Sequence, residues 1–177
     1  MKKLKKISSV VERNIIKITS IVSTKFYMKH YVKYLKKIGV NIQGNPNFIS
    51  TSVYFDGANY SKITIGENVT ISLDVMLLTH DFSMYTVYKG LGIKDKEVIN
   101  NKDLTDKFLS VQEISIGRNS FIGARSSLLP GTTIGENVLI GACSVVKGNI
   151  PDNSIVIGNP AKIVGKTNEW IDKKMIL

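Results

Sequence analysis

Apolar residues recur at every sixth position at Ile116, Ile122, Leu128, Ile134, Ile140 and Val146, and most are followed by Gly or another small residue. No helix repeats at six, whereas a very short strand followed by a tight turn does. The pattern therefore predicts a coiled β architecture. The same frame occurs earlier at Ile65, Ile71 and Leu77, and a looser one, out of phase by one residue, at Ile42, Phe48, Tyr54 and Tyr60. The phase shift predicts an irregular first coil. Ile65-Gly66-Glu67-Asn68-Val69 and Ile134-Gly135-Glu136-Asn137-Val138 repeat almost word for word, and their Gly and Asn suit corners that need positive φ. Asn68, Asn119 and Asn137 are read first as turn residues.

Outside the coil the period changes. Val11, Ile15, Ile18 and Val22 fall at three-to-four spacing with lysines between, which predicts one or two amphipathic helices reaching Lys37 and stopping at Gly39. A short helix is expected near Asn168 to Met175, covering the apolar end of the last coil. The hexads are broken once: 39 residues separate Leu77 from Ile116 where an unbroken frame has 6, so 33 are inserted. A loop of that length in a compact repeat points to function. The chain thus divides into a helical segment 1–40, a coil 41–166 with an inserted loop 80–113, and a C-terminal helix 167–177.

Charge sharpens the division. Residues 1–40 hold eleven Lys/Arg and one acid, Glu12, whereas the remaining 137 hold thirteen of each. Nucleic acid is not expected as a partner of the neutral coil, and any electrostatic partner of the first 40 residues is anionic. Two readings stand for residues 1–38: packing on the coil end or a neighbouring subunit, or a basic amphipathic helix lying on an anionic membrane surface. Glu12, Arg13 and Lys17 interrupt the early apolar stretch, so no cleaved leader is expected. No apolar run approaches the roughly 20 residues of a membrane span. The single cysteine, Cys143, rules out an internal disulfide, fits a reducing compartment, and reads as a small buried or turn thiol.

The hexads, Thr79-His80-Asp81 opening the insertion, and Ile150-Pro151 followed by Gly158-Asn159-Pro160-Ala161-Lys162 together resemble the hexapeptide-repeat acetyltransferases, over about residues 42–166. The subgroup most similar holds the galactoside and maltose acetyltransferases and the O-acetyltransferases of capsule, O-antigen and nodulation sugars. The resemblance implies a mainly β fold, the left-handed parallel β-helix. The hand comes from the resemblance alone, since parallel crossovers are otherwise right-handed. It also implies a homotrimer with active sites in the clefts between subunits, acetyl-CoA as co-substrate, and a cytoplasmic enzyme, at the inner face of the membrane if residues 1–38 bind lipid.

An acetyl thioester is already activated, so the enzyme must take a proton from the attacking alcohol and stabilise a tetrahedral oxyanion. Histidine suits the first task. Of the two histidines, His30 lies in the helical segment and reads as structural, while His80 matches the family's catalytic base. Its other ring nitrogen needs an acceptor, for which Asp81, Asp74 or a backbone carbonyl are the candidates. By similarity the oxyanion meets the backbone N–H of Ala124. The pantetheine arm lies near Ala124 and Ala142, and the phosphates meet Lys147, Lys162 and Lys166. Relatives often carry Thr-Lys-Asp where this chain has Lys147-Gly148-Asn149, which displaces the lysine by one residue. For the acceptor the candidates are Asp56, Asn59 and Tyr60, with an aromatic face from Phe82, Tyr85 and Tyr88.

The leading expectation is an acetyl-CoA-dependent O-acetyltransferase acting on a sugar hydroxyl in surface polysaccharide assembly. Serine or amino-sugar acetylation on the same scaffold is the alternative within enzymes, and a catalytically silent scaffold subunit the alternative outside them. A zinc enzyme of the carbonic anhydrase type needs three histidine ligands per metal, and only one histidine stands in the coil, so no metal is expected.

Overall fold

The computed structural model describes residues 2–57, 59–109 and 111–175. Strands of two or three residues wind into a parallel β-helix with three faces. The first face stacks Ile42, Ile65, Ile116, Ile134 and Ile150 in register, the second Ile49, Ile71, Ile122, Ile140 and Val156, and the third Phe55, Leu77, Leu128 and Val146. Nearly all of these side chains are buried and form one continuous core. The hexad frame from Ile65 to Val146 is thus the inward stripe of the coil.

The first coil departs from its frame. Ile49 rather than Phe48 is fully buried on the second face, and on the third face Phe55 points inward while Tyr54 is 55% exposed. One extra residue in the corner ahead of Phe48 reverses the alternation of inward and outward side chains, because that alternation has period two.

Corners are built from residues in the left-handed region. Asn68, Asn119, Asn137 and Asn153 have φ of 55 to 58°. Each side-chain amide donates to the next Asn up the stack, over 3.1 Å at every step, forming a ladder beside the backbone one. At a second set of corners Asp74, Arg125 and Cys143 hold the same conformation, so Cys143 is an exposed turn thiol, not a buried one. Buried hydroxyls complete the corners: Ser120 Oγ donates to Gly135 O over 2.9 Å and accepts from Val138 N over 3.1 Å. Glycines stand where rungs come closest. A Cβ on Gly66 would lie 2.7 Å from Arg118 N, and one on Gly117 would collide with Gly135 O.

Two antiparallel helices, α1 (Lys2–Val22) and α2 (Thr24–Ile38), cover the first coil. Ser23 caps α2 by accepting from Phe26 N, and Gly39 ends it at φ 109°. Tyr27 is fully buried, and its hydroxyl donates to Ile49 O over 2.7 Å, which fastens α2 to the second face. At the other end, Ser154–Gly158 pairs with the antiparallel strand Ala161–Lys166.

The insertion is helical rather than a loop. It forms α3 (Ser83–Gly90), α4 (Asp95–Ile99) and α5 (Lys102–Leu109), and a final helix α6 (Thr167–Met175) ends the described chain. Asn101 caps α5 by accepting from Asp103 N and Leu104 N, and Val98 is buried beneath. At its root Gln112 N donates to Thr79 O over 2.7 Å, so the insertion leaves and rejoins the coil at one point.

Gly117→Ala must push adjacent rungs apart, and the expected loss is about 1–3 kcal/mol, as for overpacked sites. Urea denaturation measures it against Gly90→Ala, where a Cβ meets nothing within 4 Å and the midpoint should stay put. Equal midpoints for the two variants would contradict the close corner approach.

Candidate active site

Coil stacking places Asp56 and His80 on neighbouring rungs of the third face. Phe55 pairs with Leu77, and Asp56 N donates to Leu77 O over 3.0 Å, so the residues beyond these strands share one edge. The Asp56 side chain is almost completely buried. Its Oδ2 accepts from Thr79 N and Thr79 Oγ1, each over 2.9 Å, and faces Nδ1 of His80 in ion-pair contact. That nitrogen is buried and has no other polar partner among the described residues. The imidazole remains 28% exposed and lies against Phe82, with ring centroids 4.4 Å apart.

The acceptor expected from Asp81 or Asp74 is therefore Asp56, a residue the sequence had assigned to the sugar side. Asp81 turns away: its Oδ1 accepts from Ser83 N over 2.8 Å and starts α3. That hydrogen bond holds the Asp81 carboxyl below its usual range, helped by the charges of Lys147 and His80. Asp74 sits in a corner at φ 55°, with Arg125 at 3.8 Å. The pairing of Asp56 with His80 was hidden by the irregular first coil. The signal lay in the 22-residue offset that stacks Phe55 on Leu77.

Other predicted residues separate into groups. Ala124 and Ala142 occupy adjacent rungs at the corner leading into the third face, and Cys143 N donates to Ala124 O over 2.9 Å. His80 lies at the opposite, trailing edge of that face, so one chain does not bring its imidazole to Ala124. Lys147 follows Val146 on the trailing edge, within electrostatic reach of Asp81, away from Ala142. Lys162 and Lys166 are exposed on the antiparallel strand of the second face.

On the acceptor side, Asn59 caps a short turn, its Oδ1 accepting from Ser61 N and Ser61 Oγ. Tyr60 packs partly into the core, and the hydroxyl of Tyr85 donates to Asp95 over 2.6 Å. Phe82 is thus the aromatic ring that touches His80, while Tyr85 is engaged within the insertion and Tyr88 is half-buried on α3.

The family described as "Bacterial transferase hexapeptide (six repeats)" matches residues 113–148. Protein CapG of Staphylococcus aureus is 37% identical over 142 residues, covering 80% of this chain and 74% of CapG. The Escherichia coli (strain K12) protein named "Putative lipopolysaccharide biosynthesis O-acetyl transferase WbbJ" is 29% identical over 122 residues, 68% of this chain and 58% of that protein. The chain thus spans little more than half the length of that relative. Among solved structures, the hexapeptide-repeat acetyltransferase VCA0836 of Vibrio cholerae O1 biovar eltor, complexed with acetyl coenzyme A, superimposes with a TM-score of 0.54 at 18% identity, covering 90% of this chain and 87% of that one. That likeness bears on the fold.

Carbon-detected NMR titration should find the Asp81 carboxyl ionising below the usual carboxylate range. A folded value below the unfolded one means that its contribution to stability is present at neutral pH and is lost as pH falls through the lowered value. The side chain is exposed, so the contribution is small. An ordinary carboxylate midpoint for Asp81 would contradict the turn with Ser83.

Proposed function

Since the chain belongs to the hexapeptide-repeat family of bacterial transferases, with its left-handed parallel β-helix, we propose that it transfers acetyl from acetyl-CoA to a sugar hydroxyl in the assembly of a surface polysaccharide. The observation that carries the reading is the contact of buried Asp56 with Nδ1 of His80. A carboxylate there holds the proton on Nδ1 and leaves the Nε2 lone pair for an incoming hydroxyl. Asp56 is itself fixed by Thr79, so it orients the ring without moving.

In the proposed reaction the acceptor hydroxyl gives its proton to Nε2 as its oxygen bonds to the thioester carbonyl carbon. The tetrahedral oxyanion is met by the N–H of Ala124. When the intermediate collapses, the C–S bond breaks and the CoA sulfur takes the proton back from His80. Phe82 beside the imidazole offers a ring face to the sugar, and Asp56 leaves the acceptor set for the orienting role.

His80 and Ala124 lie on opposite edges of one face, which is why the reading requires a homotrimer: the trailing edge of one copy lies against the leading edge of the next. Acetyl-CoA is taken to lie in that cleft, along the corners at Ala124 and Ala142, with Lys162 and Lys166 toward its phosphates. Lys147, on the His80 side, then serves the same cleft from the other subunit.

We assign the outer stripe of α1 to an anionic membrane surface. Val11, Ile15, Ile18 and Val22 are each more than half exposed on a segment with eleven basic residues and one acid. Among the described residues no helix is long and apolar enough to cross a membrane, and a helix lying in the interface needs only one apolar face. On this reading the enzyme works at the inner face of the cell membrane.

Thiol-release assays against a panel of glycosides, amino sugars and serine test the function. The expected result is turnover of glycosides, with kcat falling about 10²–10⁴-fold in His80→Ala. Asp56→Asn should lose a large share of this and Asp81→Asn almost none. Turnover of serine alone, or a His80→Ala variant as active as the parent, would overturn it. For the membrane assignment, flotation with anionic liposomes should carry the full chain and fail for Ile15→Glu/Ile18→Glu. Equal flotation of both would refute it.

A further inference from the structure

A cavity of about 240 Å³ lies where α1 and α2 meet the first coil, and its lining includes Arg13, Lys17, Tyr31, Tyr34 and Tyr60. It is smaller than the roughly 300–1,000 Å³ of sites that enclose a drug-sized ligand, and so suits one charged group or one sugar ring. Phe55 and Gly57, which bracket Asp56 in the chain, also line it. It therefore opens beside the rung that holds the His80 partner, with His80 one rung further on at about 4.8 Å in the ladder direction.

Its electrostatics are one-sided. Among the described residues neither Arg13 nor Lys17 has a carboxylate partner, and the adjacent Glu12 is taken up by Lys37 at 2.6 Å. Partial burial and the nearby Arg13 charge both press the Lys17 ammonium below its ordinary pKa, the mark of two cations turned toward one another without an anion between them. Tyr31 is buried, its hydroxyl pushed up to about 12 chiefly by desolvation. At neutral pH it is a neutral donor, and the pocket carries positive charge and hydroxyl donors.

We propose that this cavity binds an anionic group of the acceptor, a sugar carboxylate or the diphosphate of a carrier-linked sugar, and so restricts acetylation to acidic glycans. The inference rests on the acetyl-transfer reading for its substrate and on the cavity alone for its anion. Arg13 and Lys17 supply the charge, and Tyr34 and Tyr60 the ring faces and hydroxyls. Because α1 brings both cations, the helical cap acts in acceptor selection as well as in covering the coil.

The test compares a p-nitrophenyl glucoside, the matching glucuronide and a short-chain polyprenyl diphosphate sugar as acceptors for the full-length protein. In Arg13→Gln/Lys17→Gln the KM for the acidic acceptors should rise about tenfold to a hundredfold, the span expected for losing hydrogen bonds to a charged group. The KM for acetyl-CoA and the kcat should hold, and Lys17→Arg should restore most of the loss. A carboxylate site favours the glucuronide, and a diphosphate site the carrier-linked sugar. Calorimetric titration with glucuronate and with inorganic pyrophosphate reads the cavity without turnover, and circular dichroism checks that the double variant is folded. Equal losses for glucoside and glucuronide, or anion binding absent from the parent or unchanged in the variant, overturn the proposal. If no acceptor is turned over by the parent while an anion binds in an Arg13- and Lys17-dependent way, the acetyl-transfer reading fails and the anion site stands.

Discussion

Neighbouring rungs of a β-helix are held at the ladder spacing of about 4.8 Å, and at the corners that spacing leaves no room for a side chain. Everything else in this molecule depends on that approach. Gly66, Gly117 and Gly135 stand where rungs touch, and the Asn residues beside them take the left-handed conformation that turns the chain. With the corners fixed, each inward residue stacks on its counterpart one coil away, and each outward residue has a defined neighbour above and below. The active-site pair is one such neighbour relation, between residues 24 positions apart that the coil sets on adjacent rungs.

The regular part of the coil was legible in the sequence because its period is strict: 18 residues separate Ile116 from Ile134 and Leu128 from Val146, and any departure would bury a polar residue or expose an isoleucine. The first coil was less legible. It is longer than the others, and its extra residue sits in a corner, where no hydrophobic signal records it. That shift put Phe48 and Tyr54 on the wrong side and concealed which carboxylate meets His80. His80 itself was found because it opens the one long interruption. Its partner could be found only by counting registers through the irregular coil.

The insertion was misread as a loop for a related reason. Its helices are 5 to 8 residues long, too short for apolar periodicity to be seen, and they are set by local caps such as Asp81 with Ser83 and Asn101 with Asp103. α1 and α2 are longer, so their amphipathic pattern was plain. Which cations α1 turns toward the first coil was not plain, because that depends on how two helices settle on a surface whose side chains the sequence had placed one residue out of phase.

Despite its 33 additional residues, the insertion leaves no trace in the ladder: Ile65 pairs with Ile116 as directly as Ile116 pairs with Ile134. A segment rooted at a single hydrogen-bonded point, Gln112 to Thr79, can lengthen, shorten or change composition without altering the pitch of the coil. The corners at Ala124 and Ala142 would then be preserved while the surroundings of His80 vary. Such a molecule separates an invariant donor-handling part from an exchangeable recognition part, and offers a route by which one scaffold acquires new acceptors through changes confined to one excursion of its chain.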